Sequence, residues 1–182
     1  MKTQTAALLA TAAIAVAACT TPKEIFPPMH PHWADQQSRQ SRHYVDFPGK
    51  ARQRMTENKT VGNQTASTYL RELELNGRYY GTAWTLIPNA PQAVDAKNRV
   101  LELAAAEAVK STGGKLVSKH DVVNEGVSGL TYVVDLPQSK SRMRQQIFIV
   151  TDVLVEQTYT GPAGTEMERE PGRFFDSLKL LP

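Results

Sequence analysis

The dipeptide Asn76-Gly77 constrains the fold of this chain more than any other feature. It lies between two runs of strand character, Tyr69 to Leu75 and Arg78 to Ile87, which mix aromatic and alternating apolar residues. A two-residue connection needs positive φ at both positions to match the right-handed twist of the strands it joins. Asn and Gly adopt such angles at the least cost. The pair therefore specifies a tight antiparallel hairpin, and with it an antiparallel sheet.

The rest of the chain supplies partners for that hairpin. Tyr44-Val45-Asp46-Phe47 is a short alternating run ended by the turn pair Pro48-Gly49. Residues 50–64 are polar and charged and are expected to form a loop. Pro88 to Pro91 stops the second hairpin strand, and a helix is expected from Pro91 to Ser111. Val94, Leu101, Ala104, Ala105 and Ala108 fall on one side of it, with Asp95, Arg99, Glu102 and Lys110 on the other. Gly113-Gly114 suits its exit. Four further strand runs follow: Lys115 to Val123, Val127 to Leu136, Arg144 to Val150 and Val153 to Thr160. A last helix is expected from about Thr165 to Ser177, divided at Pro171-Gly172 and presenting Met167, Phe174, Phe175 and Leu178. Short turns join most strands. The expected class is α+β: a largely antiparallel sheet of six to seven strands, flanked by a central helix and a C-terminal helix.

The N-terminus constrains location. Lys2 precedes an apolar run from Ala6 to Ala18, broken only by Thr11. That is the pattern of a secretory signal, and the run is shorter than the ~20 residues that span a bilayer core. Its end, Val16-Ala17-Ala18-Cys19, resembles the bacterial lipobox. The resemblance implies cleavage after Ala18 and a covalent diacylglycerol on the Cys19 thiol. An ordinary secretory signal whose cut site precedes a cysteine is the alternative. The chain has one cysteine, so no disulfide partner for Cys19 exists within it. Lipidation accounts for a lone thiol in an oxidising compartment. Thr20, rather than Asp, follows the cysteine, so the expected location is the periplasmic face of the outer membrane, or the cell membrane if the source lacks an outer one. The expected organisation is a signal peptide over 1–18, a lipidated N-terminus and proline-rich tether over 19–42, and one domain over 43–182.

Composition narrows the partners. The chain has 182 residues with 21 Lys+Arg and 18 Asp+Glu. Loss of Lys2 with the signal leaves the mature chain near neutral, which argues against nucleic acid as a partner. One domain of this size can bury a sufficient core without disulfides.

Three segments together carry a family resemblance. Tyr44-Val45-Asp46-Phe47-Pro48-Gly49 resembles the opening of PsbP-like domains, Tyr79-Tyr80-Gly81 their Tyr-rich hairpin, and Arg173-Phe174-Phe175-Asp176-Ser177-Leu178-Lys179-Leu180 their ending. The resemblance covers about residues 43 to 181. It implies an antiparallel sheet flanked by helices. It implies no activity, and no binding residue of the family carries over to this chain.

Few residues point to chemistry. Met29-His30-Pro31-His32-Trp33 places two imidazoles and a thioether where copper ligation is conceivable. His30 and His32 alone give too few ligands, so no metal is expected. His120-Asp121 resembles half of a catalytic triad, but no Gly-x-Ser-x-Gly elbow accompanies it and Ser128 lacks that context. Arg39, Arg42, Lys50, Arg52, Arg54 and Lys59 form a basic stretch near the tether, read as a solvated loop over a lipid-binding patch. Lys140, Arg142 and Arg144 form a second basic loop. No enzyme and no cofactor beyond the lipid on Cys19 are expected. The expected role is a lipid-anchored, non-enzymatic module that binds an envelope protein or acts as a scaffold. The alternative is a small-ligand or lipid binder with a pocket between sheet and helix.

Overall fold

The computed structural model describes residues 34–38, 42–61, 64–87 and 89–181. Seven strands form one antiparallel sheet in the order β3-β4-β5-β9-β8-β7-β6. They are β3 (Arg52–Val61), β4 (Gln64–Leu75), β5 (Arg78–Leu86), β6 (Lys115–Asn124), β7 (Val127–Leu136), β8 (Ser141–Val150) and β9 (Val153–Pro162). A smaller sheet, β1-β2-β10, holds β1 (Ala34–Ser38), β2 (His43–Phe47) and β10 (Lys179–Leu180). Two helices complete the order: α1 (Val94–Ser111) and α2 (Arg169–Asp176), the latter preceded by a 3₁₀ turn at Thr165–Met167. The class is α+β, with the strand number and flanking helices expected.

The hairpin at Asn76-Gly77 is present, with φ of 52° and 71° at the two positions. β5 and β6 run parallel with three strands between them, so their connection has to cross the sheet, and α1 makes that crossing. The helix ends in a hydrogen-bonded cap. Gly113 takes φ 60°, its N–H donates to the Lys110 carbonyl, and the Gly114 N–H donates to the Val109 carbonyl.

Four expectations shift. Residues 52–61 form strand β3 rather than a loop, because backbone pairing with β4 overrides their polar composition. Ala34–Ser38, inside the segment expected to be tether, pairs with β2. The first helix begins at Val94, three residues after Pro91, its expected start. Pro171 does not divide the last helix. It lies in the first turn of α2, where N–H groups lack intrahelical acceptors, so the missing donor costs nothing. The break falls earlier, between the 3₁₀ turn and Arg169.

The main sheet has two cores, one per face. On the first, Leu101, Ala104, Ala105 and Ala108 of α1 pack on Leu130, Tyr132, Val134 and Leu136 of β7, on Met143, Ile147 and Ile149 of β8, and on Leu154 of β9. The alanines let the helix lie close. On the second face Val45 and Phe47 of β2 and Phe174 and Phe175 of α2 meet Tyr80 and Tyr159. Trp84, Phe148 and Val155 continue that core beneath Leu178 and Leu180. Ion pairs pin the C-terminal elements down: Arg142 with Asp135 at 2.6 Å and Glu166 at 2.8 Å, and Arg78 with Glu168 at 2.7 Å.

Candidate functional site

Helix α1 covers only part of the first face. Its buried side chains meet β7, β8 and the start of β9. Both α2 and the 3₁₀ turn belong to the opposite face. The described residues thus supply no second helix over the β4-β5-β9 half of the first face.

That half has an unusual floor. Strand register places Tyr79 opposite Thr160, Gly81 opposite Thr158 and Ala83 opposite Glu156. It places Gln145 beside Thr158 and Ile147 beside Glu156. Side chains two apart on a strand share a face, so Glu156, Thr158 and Thr160 line up along β9. All three are buried, as are Tyr79 and Gln145. The Tyr79 ring lies across Gly81, where a Cβ would come within 2.5 Å of the phenol oxygen.

A relay leads to the centre of this floor. The Tyr132 hydroxyl donates to Gln145 Oε1, and Gln145 Nε2 donates to Glu156 Oε1 at 3.4 Å. Glu156 has no other hydrogen bond among the described residues, and no cation is paired with it. Burial pushes its carboxyl from 4.5 up to about 7. Burial also raises the Tyr132 and Tyr79 phenols, with the Glu156 charge adding to both and Glu72 adding to Tyr79. Tyr79 Oη, Thr158 Oγ1 and Thr160 Oγ1 are buried without a hydrogen-bond partner. Thr68 and Thr85, nearby on β4 and β5, satisfy each other at 2.8 Å.

Three unpaired hydroxyls are costly to bury, at roughly 1–3 kcal/mol each, and the carboxyl beside them has a single long hydrogen bond and no counter-charge among the described residues. Such groups are rare in folded proteins. Chemically the floor offers acceptors and hydroxyl donors. It offers no nucleophile–base pair, since neither Thr158 nor Thr160 hydrogen-bonds to Glu156.

The residues singled out from the sequence lie elsewhere. Ala18, Cys19, His30 and His32 are outside the described residues. His120 and Asp121 are exposed on β6, opposite Thr131 and Leu130, and Ser128 is exposed near the β6–β7 turn. The second basic loop is not a free basic patch. Arg142 is ion-paired on both sides, and the Arg144 guanidinium lies over the Phe175 ring at 4.1 Å. Of the first basic stretch, Arg54 is paired with Glu72 at 2.7 Å. Among the described residues no group of three His, Cys, Asp or Glu is arranged to hold a metal, and no helix is long and apolar enough to cross a membrane.

The floor escaped sequence reasoning, although a signal was present. In Val153-Leu154-Val155-Glu156-Gln157-Thr158-Tyr159-Thr160, alternate positions from Glu156 onward are polar, in a strand that lies mid-sheet with both faces buried.

Comparison with protein-family models finds no match, and neither does comparison with curated proteins. Among solved structures the chain is similar to cyanobacterial PsbP (CyanoP) from Synechocystis sp. PCC 6803, a solution structure. The identity is 9% and the TM-score 0.49, over 87% of this chain and 98% of that one. It is also similar to PA94 of Pseudomonas aeruginosa, described as a protein of unknown function and putative regulator. There the identity is 13% and the TM-score 0.38, over 78% of this chain and 90% of that one. At these scores neither neighbour assigns a function.

Proposed function

We propose that this chain is a lipid-anchored, non-enzymatic binding module of the bacterial cell envelope, with a PsbP-like domain held at the periplasmic face of the outer membrane through Cys19. The anchor reading rests on Ala6 to Cys19 and on the single cysteine. The binding reading rests on one observation. A buried sheet face that α1 covers only in part carries hydroxyls that the described groups leave unpaired, beside a carboxyl held by one long hydrogen bond from Gln145 and by no ion pair among the described residues. That observation favours a small ligand, held within the fold, over a protein partner bound at the rim.

Two measurements test the proposal. Replacing Cys19 with Ala should move the protein from the membrane fraction to the soluble periplasm and abolish incorporation of labelled fatty acid; continued membrane association would refute the anchor. Native mass spectrometry of the full chain, purified from membranes in mild detergent, should show a co-purified non-covalent mass. That mass should vanish when Thr158 and Thr160 are both changed to Val. A clean apo mass from every preparation would remove the support for ligand binding.

A further inference from the structure

The electrostatics of the floor narrow the ligand. Glu156 is the one carboxyl at its centre, and the groups around it are an amide, phenols and hydroxyls. The titratable groups that face it are Tyr132 from β7 and Tyr79 from β5, both acids. Glu72 and Glu74 from β4 and Arg54 from β3 lie further out, around the Tyr79 phenol. Arg54 is already paired with Glu72. Helix α1 packs Val100, Leu101, Val109 and alanines on this face, and its Glu102 is paired with Lys119 out on β6. The phenols stay neutral, so the charge at the floor is that of Glu156, and among the described residues the only cation that acts on this neighbourhood is Arg54, already held by Glu72. An anionic ligand would be repelled. A neutral polyol would pair the hydroxyls but leave the carboxyl without a counter-charge. An ammonium group meets both needs, because it brings three donors and a positive charge to a place rich in acceptors.

We propose that the Glu156 floor is a recognition site for a small primary amine in its protonated form. One N–H donates to the Glu156 carboxylate. The others donate to the Thr158 hydroxyl and to the Tyr79 hydroxyl, which lies over Gly81 opposite Thr158. Gln145 positions the carboxylate through its own N–H, and Tyr132 positions Gln145. This inference rests on the binding reading above and specifies its chemistry.

Proton release gives a readout that a structural role would not move. With its carboxyl at about 7, Glu156 is mostly protonated at a pH near 6. Binding an ammonium there requires the carboxyl to ionise, so a proton leaves for solution. At a pH near 9 the carboxyl is already ionised and no proton leaves.

The test uses the full chain in mild detergent with three probes of matched size: n-butylamine, n-butanol and butyrate. Thermal unfolding and the side-chain amide signal of Gln145 in NMR report binding, and an indicator dye reports protons. Butylamine should raise Tm by a few degrees at about ten times its Kd. It should also shift the Gln145 signal and release a proton near pH 6 but not near pH 9. Butanol should bind far more weakly and butyrate not at all. Glu156→Gln keeps the shape and should weaken butylamine roughly 10- to 100-fold. Amine binding that survives Glu156→Gln, or the absence of amine binding, overturns the assignment. If butanol binds as tightly as butylamine, the floor is a ligand site of different chemistry, so the amine assignment fails while the binding module stands. If no probe binds and the natively purified chain is also empty, both fail.

Discussion

The buried carboxyl of Glu156 makes stability depend on pH in a direction opposite to most carboxylates. Its side chain is 3% exposed and its folded value is about 7 against 4.5 for a free glutamate. For an acid whose folded value is the higher one, the stability contribution is whole below about 4.5. It is lost progressively as the pH climbs, until the group is ionised in both states above about 7. The span between the two values is worth about 3 kcal/mol. That is a large share of the 5–15 kcal/mol by which a domain is stable. Glu156→Gln has the same shape and accepts the same hydrogen bond from Gln145, but it has no proton to lose. Urea unfolding of both proteins at about pH 5 and about pH 9 isolates the effect, because groups common to both cancel. Glu166 is one such group. Burial pushes its carboxyl up, but the Arg142 guanidinium and nearby backbone N–H groups outweigh burial and hold it below its usual value. The two proteins should match within about 1 kcal/mol at the lower pH. At the higher pH the variant should be more stable by up to about 3 kcal/mol. A difference that is the same at both pH values refutes the account of Glu156 as a buried carboxyl without a counter-charge.

Two further substitutions test the packing. Phe174 is fully buried, with ring centroids 5.3 Å from Phe47, 5.3 Å from Tyr80 and 5.5 Å from Phe175. Phe174→Ala should cost about 3–5 kcal/mol in urea unfolding with an unchanged m-value; a loss below 1 kcal/mol would mean α2 does not close the second core. Gly129 faces the backbone of β8, where a Cβ would lie 2.5 Å from the Ile147 carbonyl oxygen, whereas a Cβ at Gly172 meets nothing within 4 Å. Gly129→Ala should therefore destabilise by about 1–3 kcal/mol and Gly172→Ala should stabilise by up to about 1 kcal/mol, both read from thermal unfolding.

Much of the framework was legible because it is written in local signals. Asn76-Gly77 fixed a hairpin, and Gly113 the end of α1, because only a few residue types accept positive φ. Alternation along β7 fixed which of its residues face the core: Leu130, Tyr132, Val134 and Leu136. The polar strand β3 was not legible, because its pairing partner supplies what its own composition lacks. Nor was the placement of Pro171. Its effect depends on where the helix starts, and that start is set by packing of Phe174 and Phe175 rather than by the proline.

By itself the sequence determined the class of fold, the central hairpin with the helix and four strands that follow it, and the expectation of an anchor at Cys19. Each of these depends on residues adjacent in the chain, or on a period that the backbone geometry enforces. Only the tertiary structure decided that Glu156, Gln145, Tyr132 and Tyr79, drawn from four strands, meet on one floor. Sequence shows that Glu156 is polar. Whether it is solvated, ion-paired or left unpaired depends on what neighbouring strands bring beside it and how much of the face α1 covers.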